Sequence, residues 1–431
     1  MTSPSVRSPS SKGYERQYAI VLNVVTNKVF TSLVTRGTLA VTMADGQRFT
    51  FGDGTGSPVA VVFADRGAQL AFMLDPELRL GELFMEERFR VEQGTIHDFL
   101  DLVLRENADE PDPLWAKALD RLRFYLRRLT SLIGRSAAQA NVAHHYDLDR
   151  RLFKLFLDAD DQYSCAYYET PDASLEAAQL AKMRHIAAKL YLRPQDRVLD
   201  IGCGWGGLAL YLAKVAGAAH VTGITLSQEQ LALARQRATA LPSGHLNFEL
   251  IDYRDMAGTF DRIVSIGMFE HVGFASYATF FRKCRSLLAE DGVMLLHTIG
   301  QCDGPNAPNP WLTKYIFPGG YLPALSEMLP FIERAGLIVS DIEVLRIHYA
   351  TTLRHWRERF MARRAEAKAL YDERFCRMWE FYLAMCEAAF HHQNVAVFQL
   401  QLVRRQTAVP LTRDYIGRRE AELRTAEASV A

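Results

Sequence analysis

The sequence predicts an α/β protein: an open, mostly parallel sheet with helices on both faces, preceded by a small α+β domain. Three observations carry that prediction. Helix-like and strand-like patterns alternate from Ser174 to His297, as they do when successive βα units wind into one sheet. Val198-Leu199-Asp200-Ile201 reads as an almost continuous apolar run, which suits a strand buried on both faces. Glycines at alternate positions, Gly202, Gly204 and Gly206, then lead into a helical stretch over Leu208–Val215. Glycine lets the chain turn tightly and approach a ligand where a side chain would collide. Such glycines also occur in ordinary turns. Here they join strand to helix at a sheet's carboxyl edge, where a small-molecule site is expected.

Bulk composition narrows the class. The 431 residues suffice for two or three domains. Apolar residues make up 49% and charged residues 23%, as in an ordinary globular chain. Lys plus Arg and Asp plus Glu are 50 each, so no global field points to nucleic acid, and any attraction to anions is local. The six cysteines are scattered without a CxxC pair, which argues for a reducing compartment and against a disulfide framework or a zinc site. No apolar run approaches the ~18 residues of a membrane span, and the N-terminus lacks a signal peptide's apolar core. A soluble, cytoplasmic protein is expected.

Met1–Gly13 is Ser- and Pro-rich and reads as a disordered tail. Residues 14–106 form the expected α+β domain. Strand-like runs fall at Thr38–Met43, Arg48–Phe51, Val59–Phe63 and Gln69–Leu74, and helical ones at Leu78–Phe89 and Thr95–Arg105. Gly52-Asp53-Gly54-Thr55-Gly56 resembles a phosphate loop but has no helix after it, so it reads as a turn. Residues 107–142 are linker-like, starting in the acidic, proline-bearing Glu106–Pro113. They include an amphipathic helix, Trp115 to Ile133, with a basic face of Lys117, Arg121, Arg123, Arg127, Arg128 and Arg135. Docking on the next domain is the plainer role for it; lying on an anionic membrane is the alternative.

Residues 143–431 form the main domain. Expected helices are Ser174–Tyr191, Leu208–Val215, Ser227–Ala240 and Tyr277–Leu288. Expected strands are Val198–Ile201, His220–Ile224, Leu246–Leu250, Phe260–Ile266 and Val293–His297. A proline-rich loop, Asp303–Pro310, and a largely helical tail from Pro323 follow. Leu353–Lys368 and Arg404–Arg419 are again basic, suggesting one cationic side suited to lipid headgroups.

Candidate site residues cluster at the strand ends. The second strand ends without the acidic residue that usually meets a ribose, leaving Thr225 or Gln230 for that task. Asp252 and Tyr253, at the third strand end, suit an adenine amino group and ring. Glu270 follows an apolar strand among Met268 and Phe269, and a carboxylate is rarely buried there without a partner or a function. His297 ends another strand at the same edge. Taken singly, His297 reads as a core histidine, and Tyr163-Ser164-Cys165 as loop and core.

Several longer motifs together resemble the cyclopropane-fatty-acid synthase family. They are HYD (His145–Asp147), YSCAY (Tyr163–Tyr167), LEAAQ (Leu175–Gln179), VLDIGCGWGGL (Val198–Leu208), DRIVSIGMFEHVG (Asp261–Gly273) and LLHTIG (Leu295–Gly300). KYIFPGG (Lys314–Gly320), YATTLRHW (Tyr349–Trp356) and RFCRMWEFYLAMC (Arg374–Cys386) continue the series in order. LGELFMEE (Leu80–Glu87) is similar to the N-terminal domain of the phospholipid-acting members. The resemblance implies a Rossmann-like class I methyltransferase sheet and an S-adenosylmethionine-dependent C-methyltransferase. Such an enzyme cyclopropanates cis double bonds in membrane phospholipid acyl chains, working at the inner leaflet, and the family is typically homodimeric.

The resemblance also implies two groups of residues. Tyr163 and Ser164 would hold the amino-acid end of S-adenosylmethionine, and Gly202 and Gly204 would pass beneath it. Thr225, Leu226 and Gln230 would meet the ribose, and Asp252 and Tyr253 the adenine. A bicarbonate ion would be held by Cys165, Glu270, His297, the backbone of Ile299, and Tyr349. Cys386 matches a cysteine sometimes given a catalytic role, although the reaction needs no thiolate and a cysteine in an apolar helix usually packs. The carbocation left by methyl transfer requires a dry, apolar pocket, for which Met268, Phe269, Phe274, Tyr315, Ile316 and Phe317 are the expected lining. Ring closure requires a nearby base. One departure stands out: Asp149-Arg150-Arg151 replace the family's usual Gly-Asn and acid. Two other readings share these motifs, a sister methyltransferase giving methyl-branched or methylene chains and a non-catalytic lipid-binding protein.

Overall fold

The computed structural model describes residues 11–105, 148–239 and 245–430. The expected linker, its basic helix and the His145–Asp147 motif lie outside them, as do the first ten residues of the expected tail.

The N-terminal part runs α1 (Ser11–Leu33), β1 (Leu39–Thr42), β2 (Arg48–Phe51), β3 (Val59–Phe63), α2 (Arg66–Leu74), α3 (Pro76–Met85), β4 (Phe89–Gln93) and α4 (Ile96–Arg105). Its four strands form a mixed sheet in the order β2-β1-β3-β4. Three expectations need correction here. Residues 11–13, expected in the tail, open α1. Gln69–Leu74 is helical, because Asp65 caps α2 through the Ala68 N–H and Gln69 and Phe72, three apart, are buried on one face. The expected helix to Phe89 stops at Met85; Glu87 takes a left-handed φ of 61° and Phe89 opens β4. Gly52–Gly56 is a turn, with the Asp53 carboxylate accepting from the Gly37 and Thr55 N–H groups.

The main part runs α5 (Arg150–Phe153), α6 (Leu175–Lys189), β5 (Arg197–Ile201), α7 (Gly207–Lys214), β6 (His220–Thr225), α8 (Gln228–Ala238), β7 (Leu246–Leu250) and β8 (Phe260–Ile266). It continues with α9 (Tyr277–Leu287), β9 (Leu288–Gln301), α10 (Pro310–Tyr315), α11 (Leu325–Arg334), β10 (Ile338–Leu345), α12 (His348–Ala362), α13 (Arg364–Leu370), α14 (Glu373–His392), β11 (Val395–Val403) and α15 (Asp414–Val430). Seven strands form one sheet in the order β10-β11-β9-β8-β5-β6-β7, antiparallel only where β11 meets its neighbours. Successive strand residues face opposite sides. Val198 joins the core beneath α6, α7 and α8, and Leu199 joins the one beneath α9 and α11. The α/β class is as expected. The tail from Pro323 is largely helical, as expected, and also supplies β10 and β11. All nine residues of β11 are buried, so its two-sided apolar pattern is hard to tell from a buried helix.

Several cations of the basic runs are paired with carboxylates, while Arg363, Lys368, Arg405 and Arg413 stay exposed. Arg357 pairs with Glu387, Arg359 with Glu176, Arg363 with Glu366, Arg364 and Lys368 with Glu373, Arg405 with Glu290 and Arg413 with Asp341. Helix α14 joins the two parts. Arg377 reaches the Met85 carbonyl, and His392 reaches Asp101 at 2.7 Å.

Candidate active site

Strand β5 sits at the switch point of the sheet, with β6 on one side and β8 on the other, and a cavity opens at its carboxyl end. The Gly202 and Cys203 N–H groups both donate to the Ile224 carbonyl, which ties the loop to β6. Gly202 and Gly206 each take φ of 83°, which only glycine adopts without strain. A Cβ on Gly202 would lie 2.8 Å from Met268, and one on Gly206 would lie 2.7 Å from the Phe248 ring. Gly204 is different: φ is 55° and a Cβ there would meet nothing within 4 Å. It faces open space.

All nine residues expected around the cofactor line this cavity: Tyr163, Ser164, Gly202, Gly204, Thr225, Leu226, Gln230, Asp252 and Tyr253. The Thr225 hydroxyl donates to Gln230 Oε1 at 2.8 Å. Asp252 accepts from the backbone and guanidinium of Arg254, whose charge lies 5.6 Å from the Tyr253 ring centre. The Tyr163 hydroxyl pairs with that of Tyr382 at 2.8 Å, and its ring stacks on Trp356.

Lys182 and Asp200 also line the cavity, beyond the residues expected there. Lys182 donates to Ser164 Oγ at 3.0 Å and to Gln162, and burial pulls its ammonium down to about 8. Burial pushes the Asp200 carboxyl up to about 7, against the field of Lys182. Asp200 Oδ2 is buried with no hydrogen-bond partner. An ionisable residue inside an otherwise apolar strand was the available signal. Lys182 gave none, being one of many helical lysines.

Of the second group, Glu270 meets Ile299, and Tyr349 lies near Cys165 and Glu270. Glu270 lies in a short turn after β8, and its Oε1 accepts from the Ile299 N–H at 2.6 Å. Its Oε2 is buried without a partner, and burial raises the carboxyl to about 7. Tyr349 on α12 is buried against Trp356 and Phe390, within the electrostatic reach of Tyr163, Cys165, Cys386 and Glu270. Burial raises the Cys165 and Cys386 thiols, the latter to about 12, so both stay protonated at neutral pH. His297 is buried on β9, with Nδ1 3.2 Å from Gln399 Nε2. Among the described residues no hydrogen bond joins Glu270 to His297 or Tyr349. The Ile299 N–H, expected to face an anion, is bonded to Glu270.

The expected apolar lining is only partly present. Met268 lines the cavity. Phe269 stacks on Tyr277 at 4.4 Å, and Phe274 packs on Tyr277 and Phe331; both belong to the core under the sheet. Tyr315 donates to Glu82, and Phe317 lies near His271 and Tyr382. The Asp149-Arg150-Arg151 departure is satisfied internally. Asp149 caps α5 and pairs with Arg151, and Arg150 reaches Asp161 at 3.0 Å.

A family model described as mycolic acid cyclopropane synthetase matches residues 134–400. The cyclopropane-fatty-acyl-phospholipid synthase of Escherichia coli K12 is 41% identical over 323 residues, covering 75% of this chain and 82% of the relative. The tuberculostearic acid methyltransferase UfaA1 of Mycobacterium tuberculosis is 40% identical over 285 residues, covering 63% and 66%. Among solved structures, mycolic acid cyclopropane synthase CmaA1 complexed with SAH and CTAB superposes with a TM-score of 0.57 at 34% identity, covering 61% of this chain and 97% of that one.

Proposed function

The chain belongs to the mycolic acid cyclopropane synthetase family. From that premise we propose that it is an S-adenosylmethionine-dependent C-methyltransferase that converts cis double bonds of phospholipid acyl chains into cyclopropane rings. The observation that carries the reading is the cavity at the end of β5, lined by all nine expected cofactor residues, with Glu270 buried beside it.

The residues fit S-adenosylmethionine. Gly204 leaves the floor open where a Cβ would stand. The unpartnered Asp200 oxygen suits a cationic group, and Ser164 with Lys182 suits a carboxylate. Thr225, Leu226 and Gln230 then take the ribose, and Asp252 and Tyr253 the adenine. When bound, the cofactor supplies an electrophilic methyl group held in line with the double bond.

The second group fits a small oxoanion such as bicarbonate. Below about pH 7 Glu270 is neutral, the Cys165 thiol and Tyr349 phenol are protonated, and burial lowers the His297 imidazole to about 3. Neutral donors can hold one anion without repelling it. Bicarbonate supplies a base for the proton lost on ring closure. Glu270, His297, Tyr349 and Cys165 hold and orient it, and their apolar surroundings exclude the water that would quench a cation. Cys386, a protonated thiol, packs beside them.

Phospholipid acyl chains place the reaction at a membrane, and we assign the protein to the cytoplasmic face of the inner leaflet as a peripheral enzyme. No described helix is long and apolar enough to cross a membrane. Purified protein incubated with S-adenosylmethionine and Z-monoenoic phospholipid vesicles should yield cyclopropane acyl chains by gas chromatography of the methyl esters. A methyl-branched or methylene product would contradict the ring, and no product at all would favour a binding protein.

A further inference from the structure

Behind His297 the buried polar side chains form a file with a definite direction. Lys189 on α6 is fully buried; its ammonium pairs with Glu343 on β10 and donates to Gln399 Oε1 at 2.9 Å. Gln399 on β11 stands opposite His297 in the β9–β11 register, with its Nε2 facing Nδ1. An ammonium has donors only, so the amide must turn its oxygen to Lys189 and its NH2 to the imidazole. That NH2 can donate to Nδ1 only if Nδ1 carries no proton. The proton of a neutral ring therefore sits on Nε2.

We propose that Lys189 and Gln399 are positioning residues that lock His297 as the Nε2–H tautomer, a fixed hydrogen-bond donor. The proposal rests on reading His297 as part of the anion-holding group. Burial and the nearby Lys182, Lys189 and His185 hold the ring neutral. His185 is itself fixed between Glu343 and Glu420 at 2.8 and 2.6 Å, so the anchors of the file are tied to β10 and α15. The lock has a chemical use. An imidazole free to change tautomer could accept the proton released at ring closure, whereas a donor-only ring leaves it to the intended base.

The test uses the full-length, ligand-free protein labelled with 15N-histidine, with the His297 signals assigned by difference from His297→Asn. The expected spectrum shows one neutral ring, protonated at Nε2 and not titrating across about pH 6–9. Gln399→Glu places an acceptor against Nδ1 and should reverse the tautomer. It should also lower kcat at least about tenfold with KM for S-adenosylmethionine unchanged. Lys189→Met frees the amide to rotate and should give a mixture of tautomers. An Nδ1–H or imidazolium ring in the wild type would overturn the proposal. So would an unchanged tautomer in either variant, and the wild-type spectrum decides if a variant does not fold. The tautomer is read without substrate or cofactor, so its failure is distinguishable from failure of the assigned reaction, which product analysis reads.

Discussion

In the proposed reaction, Glu270 is the residue on which most of the chemistry turns. Its Oε1 is bonded, its Oε2 is not, and its environment favours the neutral acid. Glu270→Gln should lose about 100-fold or more in turnover while S-adenosylhomocysteine binding, measured by calorimetry, stays unchanged. The same variant carries a pH signature. The carboxyl titrates higher in the folded protein than its ordinary 4.5, so its contribution to stability is full below that value and is lost as pH rises to about 7. The melting-temperature difference, variant minus wild type, should therefore rise by a few degrees between about pH 4.5 and pH 7. A gap independent of pH would contradict the buried-acid description. At this scale the sequence was informative where a carboxylate follows an apolar strand, as at Glu270. It was silent on Lys182, Lys189 and Gln399, because residues from α6 and β11 meet His297 only through the register of a strand not anticipated.

The glycine loop is the element where local sequence and local structure agree best. Strand, alternate glycines and helix are a short-range pattern, and three of those glycines take positive φ. Two substitutions separate packing from binding. Gly206→Ala drives a Cβ against Phe248 and should lower the melting temperature. Gly204→Ala adds a methyl facing the cavity and should weaken S-adenosylhomocysteine binding at least about tenfold, with the smaller thermal loss. Equal thermal losses and unaltered binding in Gly204→Ala would remove Gly204 from the cradle. The elements misjudged were α2, read as a strand, and β10 and β11, read as part of a helical tail. Each has a compact apolar run, and only its tertiary neighbours decide between helix and strand. The ion pairs of the basic runs were illegible for a similar reason. Their partners, such as Glu387, Glu176 and Asp341, lie far away in sequence.

Across the whole molecule, α14 ties the small sheet's domain to the large one. Glu387 is buried, accepting from Arg357 at 2.7 Å and facing His97 of α4 at 3.1 Å. Glu387→Ala would leave a largely buried guanidinium unpaired, a loss of about 3–5 kcal/mol. Calorimetry should show a lower melting temperature; an unchanged one would mean that the pair does not support the packing of the two parts. This joint was not visible in the sequence, since it is made by residues almost 300 positions apart. The claim that unites cavity, buried acid and neutral donors is that the transferred methyl itself loses a proton. The direct measurement is mass spectrometry of acyl chains formed with S-adenosylmethionine carrying a trideuterated methyl group. The account predicts a cyclopropane retaining two of the three deuterons; a methyl branch retaining all three would contradict it.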